Sequence, residues 1–273
     1  MAILLEPLTI LKMTLSNRLV MPPMATAKAD QKGYVTSAVL DYYADKTRGG
    51  HIGLVIVEHS YVQAAGKSSK IQLSSADDGC IEGLRRLADI IHHNGSKGAM
   101  QLNHAGCSTT AEVIGREPAG PSALPHPRTG KVCLELTRDE ISNIVQDFAA
   151  AARRTKAAGF DAVEIHSAHG YLLNQFYSPL SNQRSDEYGG SIDNRTLLHR
   201  QIIDAVRSQV GEDFPIILRL GAVDYMAGGS TPADALTAAR IFQEAGVNIL
   251  DISGGFAGFD VPGLNCQGFF SDV

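Results

Sequence analysis

The chain has 273 residues, 44% hydrophobic and 19% charged, and 24 Lys and Arg stand against 29 Asp and Glu for a formal charge of −5. That composition excludes wholesale disorder, and the mildly acidic balance, with no long Lys/Arg block, argues against nucleic acid or an anionic membrane as partner. No apolar run approaches the ~18 residues of a membrane span, and the N-terminus, interrupted by Glu6 and Pro7 and lacking a basic segment, does not read as a secretion signal.

Short β-branched runs alternate with longer amphipathic stretches. Arg18 to Met21 reads as a first strand, ended by Pro22-Pro23, and Ser37 to Arg48 as a helix stopped by Gly49-Gly50. Ile52 to Val57 is an almost wholly apolar strand, Gly79 to His93 a helix, and Ala99 to Leu102 a third strand. An irregular stretch from Asn103 to Leu136 carries four prolines. Thr137-Arg138-Asp139-Glu140 is a capping box, in which Thr137 and Glu140 each take one of the helix's free N–H groups, and the helix it opens runs to about Ala158. Strand four is Ala162 to His166, followed by a helix over Asn194 to Val210, and strand five is Ile216 to Leu220. Thr231-Pro232 opens another helix, since proline at the first helical position loses no hydrogen bond, and Asn248 to Ser253 is strand six. Apolar strands alternating with helices predict parallel strands covered on both faces. The count is about six βα units, against eight for a closed (β/α)8 (TIM) barrel.

The four cysteines, Cys80, Cys107, Cys133 and Cys266, lie far apart with no C-x-x-C pair, so neither a zinc nor an iron–sulfur site is expected, and reduced thiols in a cytoplasmic protein are. Ala65-Gly66-Lys67-Ser68 resembles the end of a P-loop, but Tyr61 stands in place of the first glycine. No G-x-G-x-x-G dinucleotide fingerprint occurs. His92-His93, at a helix end, suits a charge–dipole contact.

In a parallel α/β fold the active site lies at the C-terminal ends of the strands. Those ends carry Pro23-Met24-Ala25, Glu58-His59-Ser60, Gln101 with Asn103 and His104, then His166, His169 and Tyr171, and Arg219. His166 and His169 can aim two imidazole N–H groups at one oxygen and stabilise developing negative charge. Tyr171, with an ordinary pKa near ~10, is a proton donor beside them. The alternatives are a core hydrogen bond or a two-histidine metal site. Arg219, set among Ile and Leu, needs an anionic or acceptor-rich partner: either a polar-edged heterocycle shared with Gln101, or an internal pair with Glu164 or Asp251.

Asn17 to Met24, Met100 to Gly106, Glu164 to Leu172 and above all Leu180-Ser181-Asn182-Gln183-Arg184-Ser185-Asp186-Glu187-Tyr188-Gly189-Gly190-Ser191-Ile192-Asp193-Asn194-Arg195 resemble, in order, motifs of the old yellow enzyme family of flavin oxidoreductases, closest to its NADH:flavin oxidoreductase and enoate-reductase-like branch. The resemblance implies a TIM barrel holding FMN, with backbone around Pro23, Met24 and Ala25 and at His59 facing the isoalloxazine, Gln101 on its pyrimidine edge and Arg219 near N1 and O2. His166 and His169 would bind the carbonyl oxygen of an α,β-unsaturated substrate and Tyr171 would protonate its α-carbon. NADH or NADPH would reduce FMN, and the flavin N5 hydride would pass to the β-carbon. The expected partner is thus a small molecule, with neither nucleic acid nor membrane.

The sequence also departs from that family. Ala25 stands where many relatives carry Thr or Cys, Cys107 where Arg is common, and Leu197 where Arg is frequent. The last two βα units, which in the family supply the FMN phosphate pocket, are not written before Val273. The expectation is a single FMN-binding barrel domain over 1–273, lacking its C-terminal part, with two exposed sheet edges that invite a homo-oligomer and poor FMN affinity unless another chain completes it. The competing functions are a metal-dependent TIM-barrel hydrolase using His166 and His169, or a non-catalytic barrel fragment.

Overall fold

Alternate residues of each long strand are apolar on the face that meets the helices, and a second apolar set lines the start of the opposite face. The strands are therefore buried on both sides, as parallel strands require. The computed structural model describes residues 3–258. In chain order the elements are β1 Leu8–Ile10, β2 Met13–Leu15, β3 Val20–Met21, α1 Ser37–Thr47, β4 Leu54–Tyr61, α2 Ile81–His93, β5 Lys97–Asn103, α3 Ala111–Ile114, β6 Ala119–Gly120, β7 Leu134–Glu135, α4 Arg138–Ala157, β8 Ala162–Ser167, α5 Leu172–Tyr177, α6 Ile192–Arg195, α7 Leu197–Val210, β9 Ile216–Val223, α8 Pro232–Glu244 and β10 Ile249–Gly254.

Six strands form one curled parallel sheet in the order β3-β4-β5-β8-β9-β10. Each long strand pairs with the next one in the chain, so the winding never reverses. That order is a barrel's and not that of a doubly wound sheet. The main core lies between the sheet and its helices and includes Val55, Met100, Val163, Ile165, Leu218, Phe148 and Ile202. A second cluster, on the inner face, joins Leu54, Ile56, Ala99, Ala162 and Ile217 to Met13 and Leu15. Met13 and Leu15 belong to the antiparallel β1–β2 hairpin, which packs against the N-terminal part of the inner face. The C-terminal ends of the strands are left for polar groups.

Local signals set several boundaries. The capping boxes at Thr137–Glu140 and Thr231–Asp234 are both formed. The expected helix over Asn194 to Val210 is instead α6 and α7, separated at Thr196, whose hydroxyl donates to the Ile192 and Asp193 carbonyls. Local back-bonding of this kind competes with the helix ladder. β4 runs beyond Val57 to Tyr61 through an irregularity between Val57 and Ser60, where its register against β5 shifts. Glu58 and His59 lie in that irregularity. The hairpin, α5 and the short elements after β5 had no sequence counterpart.

Two further expectations are corrected. Cys107 and Cys133 are joined in a disulfide, their Cα atoms 5.8 Å apart, so those thiols are not free. The pairing is long-range, made when the irregular stretch folds back on itself, and their spacing in the chain does not reveal it. Cys80 is free and buried, and Cys266 lies outside the described residues. The helix-end reading of His92 needs a second partner: it stands in the last turn of α2, as expected, and its Nε2 also lies 2.6 Å from the Asp161 carboxylate, which holds Lys97 too. No helix among the described residues is long and apolar enough to cross a membrane.

Ile217 is fully buried beneath the site, between the hairpin and the polar residues above it. Ile217→Ala is expected to cost roughly 2–5 kcal/mol, because the rigid strand backbone around it cannot collapse into the cavity. Urea unfolding would show this as a lower midpoint at unchanged slope.

Candidate active site

Pro23, Met24 and Ala25 after β3, His59 in β4, Gln101 in β5, His166 in β8, His169 and Tyr171 in the turn after it, and Arg219 in β9 line one cavity. The residues that the resemblance gave a place in the site all line this cavity, whereas Glu58, Ser60, Asn103 and His104, also noted at strand ends, do not. The register explains the juxtaposition: Gln101 pairs with Glu164, His166 with Arg219, and Arg219 with Asp251 on β10. Their side chains leave the same sheet face, one step beyond the apolar layer of Leu54, Ala99 and Ile217.

Four rings meet at the cavity. His166 lies 5.1 Å from both His169 and Tyr171, centroid to centroid, and His59 is 5.3 Å from Tyr171. His169 adopts a left-handed backbone, φ 60°, that non-glycine residues rarely take. The end of β10 holds it there: its N–H donates to the Gly254 carbonyl at 3.1 Å and its Nε2 lies 2.7 Å from Ser253 Oγ. Tyr171 is the N-cap of α5, with Ser68 as a hydrogen-bonding neighbour of its hydroxyl. His59 Nδ1 meets Gln72 and Asn103, each at 3.1 Å.

Arg219 makes an internal pair of the kind expected and also borders the cavity. Its Nε lies 3.2 Å from Asp251 Oδ2, an ion pair without hydrogen-bond geometry, while its side chain also borders the cavity. Gln101 Nε2 donates to Glu164 Oε2 at 2.6 Å and likewise borders the cavity. Arg219 Nε and His166 Nδ1 are buried without a hydrogen-bond partner among the described residues. The cavity therefore joins an apolar wall at Pro23, Met24 and Ala25 to a rim of unspent donors. That donor set fits a flat heterocycle with acceptors along one edge. No group of three or more His, Cys, Asp or Glu side chains placed to hold a metal occurs among the described residues.

Burial sets the protonation states. It drives the His166 imidazole well below its ordinary range, His169 to about 3 and His59 to about 4, with Arg219 adding to the effect on His166 and His169. All three are neutral at pH 7. Burial also raises the Tyr171 phenol, which keeps its proton. Sequence reasoning missed Ser253, Gln72 and Ser68, which hold site rings; each is an ordinary polar residue whose only signal is its place at a strand end or loop.

A family model described as NADH:flavin oxidoreductase / NADH oxidase matches residues 3–256. The chain is 42% identical over 245 residues to an NADH oxidase of Thermoanaerobacter brockii, covering 89% of this chain but 38% of that protein. It is also 42% identical over 251 residues to an NADPH dehydrogenase of Clostridium acetobutylicum, covering 92% of this chain and 73% of the other. Among solved structures, an old yellow enzyme homologue from Zymomonas mobilis superposes with a TM-score of 0.85 at 28% identity, over 93% of this chain and 74% of that one.

The buried imidazoles carry a pH signature. His59, His166 and His169, with His104 and His199 at about 3, stay neutral in the fold but protonate near ~6.5 once unfolded. The unfolded chain then binds more protons, so their contribution to stability is complete above pH ~6.5 and is lost as pH falls from there through the folded values. Urea midpoints are expected to decline from pH 6.5 towards pH 4, and His199→Asn should flatten the decline.

Proposed function

The chain belongs to the NADH:flavin oxidoreductase / NADH oxidase family, and on that premise we propose that it is an FMN-dependent oxidoreductase that uses NADH or NADPH to reduce the alkene of an α,β-unsaturated carbonyl compound. The observation that carries this reading is the single cavity shared by Pro23, Met24, Ala25, His59, Gln101, His166, His169, Tyr171 and Arg219. When bound, FMN supplies the two-electron chemistry, accepting hydride from the nicotinamide and delivering it to the substrate β-carbon. The described residues are read as belonging to one FMN-binding domain of the TIM-barrel type, to which they contribute six parallel strands.

The side chains then have distinct tasks. Pro23, Met24 and Ala25 offer an apolar wall for one face of the isoalloxazine, with His59 beside them. Gln101 and the guanidinium of Arg219 take its pyrimidine edge, where a cation offsets the negative charge that reduction brings. His166 and His169 hold the substrate carbonyl oxygen. Because both imidazoles are neutral, each offers an N–H without surrendering a full proton, and negative charge developing on that oxygen is met by oriented dipoles. Tyr171, still protonated at neutral pH, delivers its proton to the α-carbon.

Tyr171→Phe is expected to lower cyclohexenone reduction by about 10²–10⁴-fold, the usual weight of a positioned general acid. Flavin reduction by NADPH, followed anaerobically by bleaching of the visible band, should stay at the wild-type rate. Equal cyclohexenone turnover in the variant would strike Tyr171 from the role. His166→Ala and His169→Ala should each weaken the charge-transfer complex with a phenol. Protein whose titration with FMN leaves the free-flavin spectrum unchanged would remove the reading as a whole.

A further inference from the structure

Beneath the cavity, two carboxyl groups share one guanidinium. Glu164 is wholly buried; its Oε2 accepts from Gln101, while its Oε1 has no donor among the described residues. Asp251, paired in register with Arg219, has an Oδ2 that is likewise buried without a hydrogen-bond donor. Glu164 on β8 and Asp251 on β10 leave the same sheet face on either side of Arg219 on β9. Buried acceptors are as a rule satisfied, and two undonated oxygens on neighbouring carboxyls have a common remedy.

We propose that Glu164 and Asp251 share a single proton, and that this acid–carboxylate pair sets the charge beneath the ring-binding edge of the site. The charge count supports it. With both groups ionised the layer holds two negative charges against one positive, with Glu164 wholly buried and Asp251 largely so. One shared proton makes it neutral and gives both orphaned oxygens a hydrogen bond. The remaining neighbours supply no further cation: β5 contributes the neutral Gln101 amide, β8 and its turn the neutral His166 and His169, and β4 the neutral His59 and a Glu58 carboxyl already engaged by Thr26. Burial raises Glu164 and then Asp251, each against the pull of Arg219. The pair titrates as a unit, losing one proton to solvent and moving from one negative charge to two.

The part of the proposal that concerns the ring rests on the FMN reading above. A neutral layer leaves Arg219 able to accept the negative charge of a reduced isoalloxazine, whereas a layer that has lost its proton opposes it. Glu164 and Asp251 are thus positioning residues acting through Arg219.

Two measurements decide this separately. Infrared spectroscopy of the protein at neutral pH should show a carboxylic-acid C=O band that moves on ¹³C-glutamate labelling, disappears on alkaline titration and is missing in Glu164→Gln. In Asp251→Asn the band should also vanish at neutral pH, because Glu164 is then the remaining carboxylate for Arg219 and ionises. A wild-type protein without the band, or an Asp251→Asn variant that keeps it unaltered, overturns the shared proton. In FMN-loaded protein the midpoint potential should bend downward over the pH range in which the band is lost, and Glu164→Gln should lack the bend. Parallel profiles overturn the link to the ring. A wild-type protein that takes up no FMN counts against the functional reading, and the infrared arm still decides the proton.

Discussion

A guanidinium held inside a parallel sheet, between strands made of Ile and Leu, is the constraint on which the site depends. Arg219 is buried where water cannot solvate its guanidinium, so the structure must supply it with counter-charge. Asp251, one strand away and in register, provides that, and Glu164, one strand away on the other side along the same face, adds a second carboxyl. These ties do not compete with the cavity. Asp251 meets Arg219 at Nε and Glu164 takes one Gln101 proton, and both side chains, Arg219 and Gln101, still border the cavity. The carboxyls fix where the unspent donors point, and preorganised donors of this kind are what electrostatic stabilisation requires.

The layering of the inner face follows from the same arithmetic. Leu54, Ala99, Ala162 and Ile217 close its lower part against the β1–β2 hairpin and exclude water there. One pleat further on, the side chains are Gln101, Glu164, Arg219 and Asp251, and beyond them come His166, His169 and Ser253. Hydrophobic burial therefore does its stabilising at the start of the strands, and the polar groups concentrate where the strands end. The polar layer is costly to bury, and it is kept where a bound ring and substrate could use it.

Much of this was legible in the residues. Strand-end polar residues break apolar runs at Gln101, His166 and Arg219, and a two-residue period places them on one face. Thr137 and Thr231 announce their helices because a capping box is a local device. What could not be read has a common cause: it depends on partners distant in the chain. Arg219 shows this well, since the sequence left an internal pair and a ligand edge as alternatives and the register sets the internal pair beside the cavity. The break at Thr196 was hidden because the helix-spaced apolar run from Leu197 to Val210 begins directly after it, and the back-bonding of its hydroxyl to the Ile192 and Asp193 carbonyls carries no motif. His92 looked like a helix-end charge because Asp161, 69 residues away, carries no motif.

The turn bearing His169 and Tyr171 is the extreme case, since almost none of what shapes it lies within it. The irregular stretch after β5 clamps it from one side. Leu172 N–H donates to the His104 carbonyl, Cys107 N–H to Gln175 Oε1, and Gln175 Nε2 and Ser108 Oγ both to the Gly170 carbonyl. Gly106 is needed there, because a Cβ at its positive φ would collide with Gln175. The Cys107–Cys133 disulfide ties the same stretch to the segment that returns through β7, and Ser253 and Gly254 hold the other side of the turn. Two elements with no catalytic signature thus force a histidine into a left-handed backbone, and that conformation turns its ring towards His166. The pairing of the two imidazoles, the feature from which the chemistry was first inferred, is an outcome of tertiary packing and not of their three-residue spacing.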